Sequence, residues 1–157
     1  MTEARLTHVD ETGAARMVDV TAKTVTDRVA TAAGRVLVSP EVVGLLRGEG
    51  VPKGDAIAVA RIAGIMGAKR TPDLVPLCHP IALHGVTVEL EVTDDAVEIT
   101  ATTRTADRTG VEMEALTSVA VAGLTVIDMV KAVDPRACIT DVRLLSKSGG
   151  KKGDWTR

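Results

Sequence analysis

Cys78 and His79 stand side by side between Pro76 and Pro80, and a second histidine, His84, follows five residues on in "PLCHPIALHG". Proline fixes its own φ and pushes the residue before it toward extended conformations, so this pair is held in a restricted shape. Three chemistries suit such a pair. Cys78, His79 and His84 could ligate a metal, although zinc sites usually show CxxC or HxxxH spacing and a fourth ligand. The only other thiol is Cys138. Cys78 could be a nucleophile, given a base and an anion-stabilising group nearby. The turn could instead display His79 to a ligand while Cys78, a residue type often buried, packs inward.

A second group lies in "GVEMEALTSVAVAGLTVIDMVKAV", residues 110–133. Glu112 and Glu114 fall where a helix would start, and the helix dipole alone could account for them. Asp128 and Lys131 are three apart near its end, on one face. An acid opposes the dipole there, and Asp128 follows the apolar "AGLTVI". It is therefore expected to be partly buried, with Lys131 as partner, as an acid/base pair with perturbed pKa values. Lysines mark segment ends: Lys53, Lys69 beside Arg70, Lys147, and Lys151-Lys152. "KSGGKKGD" departs from the P-loop pattern, and no helix follows it to supply amide donors. Lysines on glycine hinges could still close over a polyphosphate.

The elements that must position these groups are legible from periodicity. Residues 24–38 alternate and are rich in β-branched types, which predicts a strand or a bent strand pair around Gly34. Ser39-Pro40-Glu41 is a helix start, and that short helix ends at "GEG". Asp55 is a possible cap for a helix over 56–69. Residues 86–92 and 97–104 alternate around Asp94-Asp95, a hairpin signal. The long helix over 110–133 is followed by Pro135, and a last strand over 139–145 by a Gly/Lys tail. The order predicts an α+β fold: a ferredoxin-like βαββαβ sandwich, an antiparallel sheet with helices on one face. The 157 residues suit one domain, with residues 1–15 a mobile arm and 147–157 a flexible tail.

Composition excludes several classes. Charged residues are 25% and the net charge is −2, so neither polyanion coating nor disorder is expected. There is no Phe, no Tyr and a single Trp, Trp155, which argues against a nucleic-acid binder that stacks bases. The polar start carries no signal peptide and no apolar run reaches about eighteen residues, so no membrane span is expected. With two cysteines and no secretory signal, a cytoplasmic location with free thiols follows. The helices over 56–69 and 115–127 are nearly uncharged all round and must be covered on all sides. A sheet covers one face, so a homo-oligomer is expected.

"THVDETGAARMVDVTAK", "KGDAIAVARIAGIMGAKRTPDLVPLCHPI", "TGVEMEALTSVAVAGLTVIDMVKAVD" and "VRLLSKSGGKKGDW" together closely resemble the MoaC family, the cyclic pyranopterin monophosphate synthases of molybdenum-cofactor biosynthesis. The resemblance is collinear over nearly the whole chain and departs only at the hairpin tip near Asp94-Asp95. It implies a lyase acting on the GTP-derived (8S)-3′,8-cyclo-7,8-dihydroguanosine 5′-triphosphate, made by a radical-SAM partner. That substrate is rearranged to cyclic pyranopterin monophosphate with release of pyrophosphate. By motif match Asp128, Lys131 and Lys53 would be catalytic. Leu77, Cys78, His79, Glu112, Met113, Glu114, Lys69 and Lys147 would bind substrate. The resemblance implies a hexamer, a trimer of dimers. The rearrangement calls for no resident cofactor or metal, although Mg²⁺ could accompany the triphosphate. It also favours the substrate-binding turn for Cys78-His79. A ferredoxin-like oligomer that senses a nucleotide without chemistry is the alternative.

Overall fold

The computed structural model describes residues 4–49 and 55–157. Strand β1 (Thr26–Leu37) is followed by helices α1 (Pro40–Leu46), α2 (Ala56–Lys69) and α3 (Thr71–Leu74). Strands β2 (Gly85–Val92) and β3 (Ala96–Asp107) lead into helix α4 (Glu112–Val130), then β4 (Cys138–Ser148) and the two-residue β5 (Trp155–Thr156). The five strands form one sheet in the order β2-β3-β1-β4-β5, with every pairing antiparallel. The chain is thus a mixed α+β structure built on an antiparallel sheet.

Alternation decides which face is buried. Ala30, Ala32 and Val36 of β1 and Val97, Ile99 and Ala101 of β3 point to one side and join Ala115, Val119, Ala122 and Val126 of α4 in a single core. Val36 opposes Val97, Gly34 opposes Ile99 and Ala32 opposes Ala101, so the side chains become smaller along the pair. Without aromatic side chains to span gaps, close approach must come from missing atoms. A Cβ on Gly34 would lie 2.7 Å from Val119 Cγ1 and 3.1 Å from Val142 Cγ2. One on Gly67 would lie 2.8 Å from Val121, and Gly64 faces Ser118 and Ala122. These glycines let α2 and α4 pack on each other, and Gly34 lets α4 press on the sheet.

The local expectations hold with several adjustments. Ser39 Oγ caps α1 by accepting from the Val42 N–H at 3.3 Å. Asp55 precedes α2 but its side chain makes no capping bond. β1 is one continuous strand, and the irregularity falls instead on its partner β4, where the register slips between Thr31/Ala32 and between Ala33/Arg35. The hairpin β2–β3 turns at Asp94-Asp95 as expected, with β3 running three residues further. By length and apolar composition alone α4 is long enough to cross a membrane, contrary to the reading of the sequence. In the fold it is a core helix with eight buried residues, Glu114 and Ser118 among them. Residues 147–157, read as tail, contribute the end of β4 and all of β5. Within the N-terminal arm, Val9 and Ala15 form a β-bridge.

Gly34→Ala is expected to lower stability by about 1–3 kcal/mol, because the new methyl overpacks against Val119 and Val142. Urea denaturation checks this; an unchanged midpoint would mean the crossing is looser than described.

Candidate active site

The β3–α4 connection and the proline-braced turn face each other across a small cleft. Leu77, Cys78 and His79 form one wall, Thr109, Gly110, Glu112, Met113 and Glu114 the other, and His8 of the N-terminal arm completes the rim. Both walls are pinned from β3. Thr103 Oγ1 donates to the Val111 carbonyl at 2.9 Å, holding the start of α4. Thr105 Oγ1 donates to the Ala82 carbonyl at 2.5 Å, holding the chain that leaves the turn. The turn itself closes with Cys78 N–H donating to the Val75 carbonyl. A Cβ on Gly110 would meet the end of the Glu112 side chain and displace its carboxylate from this position.

Glu114 is the unusual member. Its side chain is on the inner side of α4 and only 3% exposed. Burial lifts its carboxyl to about 7; its own backbone N–H pulls the other way, and the nearby Glu112 adds a further push upward. A carboxyl at that value can both give and take a proton at neutral pH. Burial likewise raises the Cys78 thiol, and Glu114 and Glu112 raise it more. Cys78 therefore stays protonated, which disfavours the nucleophile and ligand readings. Among the described residues, His, Cys, Asp and Glu form no cluster of three or more suited to a metal.

His79 is half-buried, and its Nε2 lies 2.6 Å from the Val18 carbonyl. A carbonyl only accepts, so Nε2 carries the hydrogen. Lys147 reaches the same cleft through Glu112, with Nζ 3.1 Å from Oε1. A bulge aims it there. After the register slip at Thr31/Ala32, Lys147 rather than Ser146 opposes Ala30, which places Lys147 on the helix side of the sheet.

Seven of the eleven residues expected at the site thus meet: Leu77, Cys78, His79, Glu112, Met113 and Glu114 line the cleft and Lys147 is tied to Glu112. Cys78 shares the wall with His79, as the motif match implies, rather than packing away from it. Asp128 and Lys131 form their ion pair, but at the far end of α4 and with side chains 68% and 61% exposed. The expectation of partial burial fails within one chain, since Asp128 projects from the outward side of the helix. Lys69, the last residue of α2, is exposed and does not line the cleft. Lys53 lies outside the described residues. His84 serves structure, its Nδ1 accepting from the Ala106 N–H at 3.3 Å. His8 had no signal in periodicity, because it reaches the cleft only through the fold of the arm. A second hollow of about 440 Å³, lined by Lys23, Thr26, Arg28, Gly150 and Lys151, adjoins the same connection. Arg28 Nε donates to the Asp107 carbonyl and Arg108 Nε to the Lys23 carbonyl.

The family model for the MoaC family matches residues 17–150. The chain belongs to the MoaC family. A relative from Streptomyces griseus, named cyclic pyranopterin monophosphate synthase, is 76% identical over 99% of this chain and 88% of its own length. One of the same name from Nocardioides is 70% identical over 98% of this chain and 96% of its own. Cyclic pyranopterin monophosphate synthase 2 of Mycobacterium tuberculosis is 60% identical over 97% of this chain and 91% of its own. The MoaC match spans both walls of the cleft and the Asp128-Lys131 pair.

Glu114 also sets a pH dependence of stability. Its folded value is above the ordinary 4.5, so the folded chain holds the proton more tightly between pH 4.5 and about 7. Stability then falls as pH rises through that window, and the loss is complete above it. Glu114→Gln is expected to gain on the wild type by on the order of 2–3 kcal/mol between pH 4.5 and pH 8. Denaturation curves at the two pH values check this; an equal effect at both would place Glu114 in contact with water.

Proposed function

We propose that this chain converts (8S)-3′,8-cyclo-7,8-dihydroguanosine 5′-triphosphate into cyclic pyranopterin monophosphate and pyrophosphate, a step of molybdenum-cofactor biosynthesis. The observation that carries the reading is the meeting of Leu77-Cys78-His79 with Glu112-Met113-Glu114 around one buried carboxyl. Opening and rebuilding a purine ring needs repeated proton transfers, and Glu114 with His79 supplies groups able to make them. Closing a cyclic phosphate with pyrophosphate leaving needs cations, which Lys23, Arg28 and Lys151 offer in the adjoining hollow. No resident cofactor enters; any Mg²⁺ would arrive with the triphosphate. In this reading the substrate comes from a radical-SAM GTP cyclase, and both work in the cytoplasm.

The cleft of one chain holds about 120 Å³, well short of the several hundred that a nucleotide-sized ligand fills. Glu114 and Asp128 are fourteen residues apart on one continuous helix, about 21 Å along its axis. The outward side of α4 that carries Asp128 also carries Leu124, 59% exposed, and α2 beside it exposes Val59, Ile62 and Met66. An apolar face of this kind calls for cover. We infer a two-fold pair of chains with Asp128 and Lys131 of one completing the Glu114 cleft of the other, and a hexamer of three such pairs. The strand order and the placement of α2 and α4 support a ferredoxin-like description of each chain. A nucleotide sensor without chemistry would have little use for a carboxyl poised near neutrality.

Incubating the purified protein with the cyclised nucleotide should release pyrophosphate and form a pterin product. Asp128→Asn should abolish turnover and leave the oligomer intact, and retention within about threefold would remove it from the chemistry. Glu114→Gln and Asp128→Asn should each be inactive alone. Refolded together in equal amounts, they should recover roughly a quarter of wild-type activity, from dimers with one intact shared site. A dead mixture containing mixed oligomers would show that each site belongs to one chain. Cys78→Ser should retain far more activity than His79→Ala, because the protonated thiol only packs the wall. Equal and complete loss in both would reopen the metal reading.

A further inference from the structure

Two imidazoles border the cleft, and the N-terminal segment through Val18 holds both. Residues 8–16 fold into a small hairpin: Val9 bridges Ala15, the Arg16 N–H donates to the His8 carbonyl at 2.9 Å, and the Asp10 N–H to the Ala14 carbonyl at 2.9 Å. Asp10 Oδ1 organises the turn, accepting from the Thr12 N–H at 2.8 Å, the Thr12 hydroxyl at 2.7 Å and the Ala14 N–H at 3.0 Å. The Thr12 hydroxyl, then the Ala14 and Thr12 N–H groups, hold the Asp10 carboxyl below its ordinary range, so the turn is built on an ionised acceptor. His8 Nδ1 lies 3.3 Å from the Arg16 carbonyl, and His79 Nε2 lies 2.6 Å from the Val18 carbonyl. These carbonyls are two residues apart on one segment. Each can only accept, so each fixes a ring hydrogen. His79 must carry it on Nε2 and His8 on Nδ1. The neutral rings then present opposite nitrogens as lone pairs: Nδ1 of His79 and Nε2 of His8.

We propose that His8 is a further catalytic residue of this site, a neutral imidazole whose Nε2 accepts a proton from the bound substrate, and that the Asp10-capped hairpin is the device that delivers it. The inference rests on the proposed function for the identity of the substrate. The step is a simple transfer: an N–H or O–H of the substrate loses its proton to Nε2, and the resulting imidazolium returns it later in the same turnover. Both ring nitrogens then carry hydrogen, and the bond from Nδ1 to the Arg16 carbonyl persists and strengthens with the charge. His8 is itself exposed, so it can follow the hairpin onto and off the substrate, and its replacement leaves the core untouched.

Two readouts test it, one independent of substrate. Long-range ¹H–¹⁵N NMR of the intact protein should show His8 in the Nδ1–H tautomer, and Asp10→Ala should abolish that preference by opening the hairpin. In steady-state assays with the cyclised nucleotide, His8→Ala should lower kcat at least tenfold with KM changed by less than about threefold. Asp10→Ala should lower kcat in the same direction, and the double variant should be no worse than His8→Ala, since both remove one device. An Nε2–H tautomer in the wild type, His8→Ala within twofold of wild-type kcat, or fully additive losses in the double variant would each overturn the proposal. A wild-type protein that turns nothing over would count against the proposed function, while the tautomer would still decide the geometry.

Discussion

The arrangement of the candidate site depends on keeping one carboxyl out of water. Glu114 sits in the first turn of a helix whose next rows are Ala115, Ser118, Val119 and Ala122, all buried. A carboxylate there would be costly, and among the described residues no cation meets it directly; Lys147 stops at Glu112. Protonation is the cheaper answer, and it moves the group into the range where proton transfer at neutral pH is efficient. The same desolvation raises the Cys78 thiol and keeps it protonated, so one environmental cause shifts two neighbouring side chains in the same direction.

That environment depends on small residues. The core lacks aromatic side chains, and α4 can seat Glu114 deeply only because Gly34, Gly64 and Gly67 remove the atoms that would hold the layers apart. The hydroxyls of Thr103 and Thr105 then tie both walls of the cleft to one strand, β3. A register slip in β4 turns Lys147 toward the helices. Each device is local, and together they set two sequence-distant loops against one cleft.

Much of this was legible beforehand. Alternation in residues 86–104 predicted the hairpin, and Ser39-Pro40 predicted the start of α1, because turn and cap chemistry act over few residues. The "PLCHP" and "VEMEAL" segments were singled out, and the fold brings them together. The partial burial expected of Asp128 is not found within one chain, because position along a helix does not say which side faces outward; its neighbour Leu124 is exposed too. The burial of Glu114 was missed for the complementary reason: two acids at a helix start have a sufficient dipole explanation, and only tertiary packing distinguishes Glu112 from Glu114. His8 was out of reach of periodicity, since a histidine in a polar arm carries no pattern until the arm folds.

Burial places a carboxyl that titrates near neutrality, Glu114, at the centre of the cleft. Selective ¹³C labelling of glutamate carboxyls, followed by NMR titration of the assembled protein from pH 4 to 9, reads it directly. One resonance should titrate close to 7 and be missing from Glu114→Gln. If every glutamate carboxyl titrates in the ordinary range near 4.5, Glu114 is solvated and the account of this site is wrong.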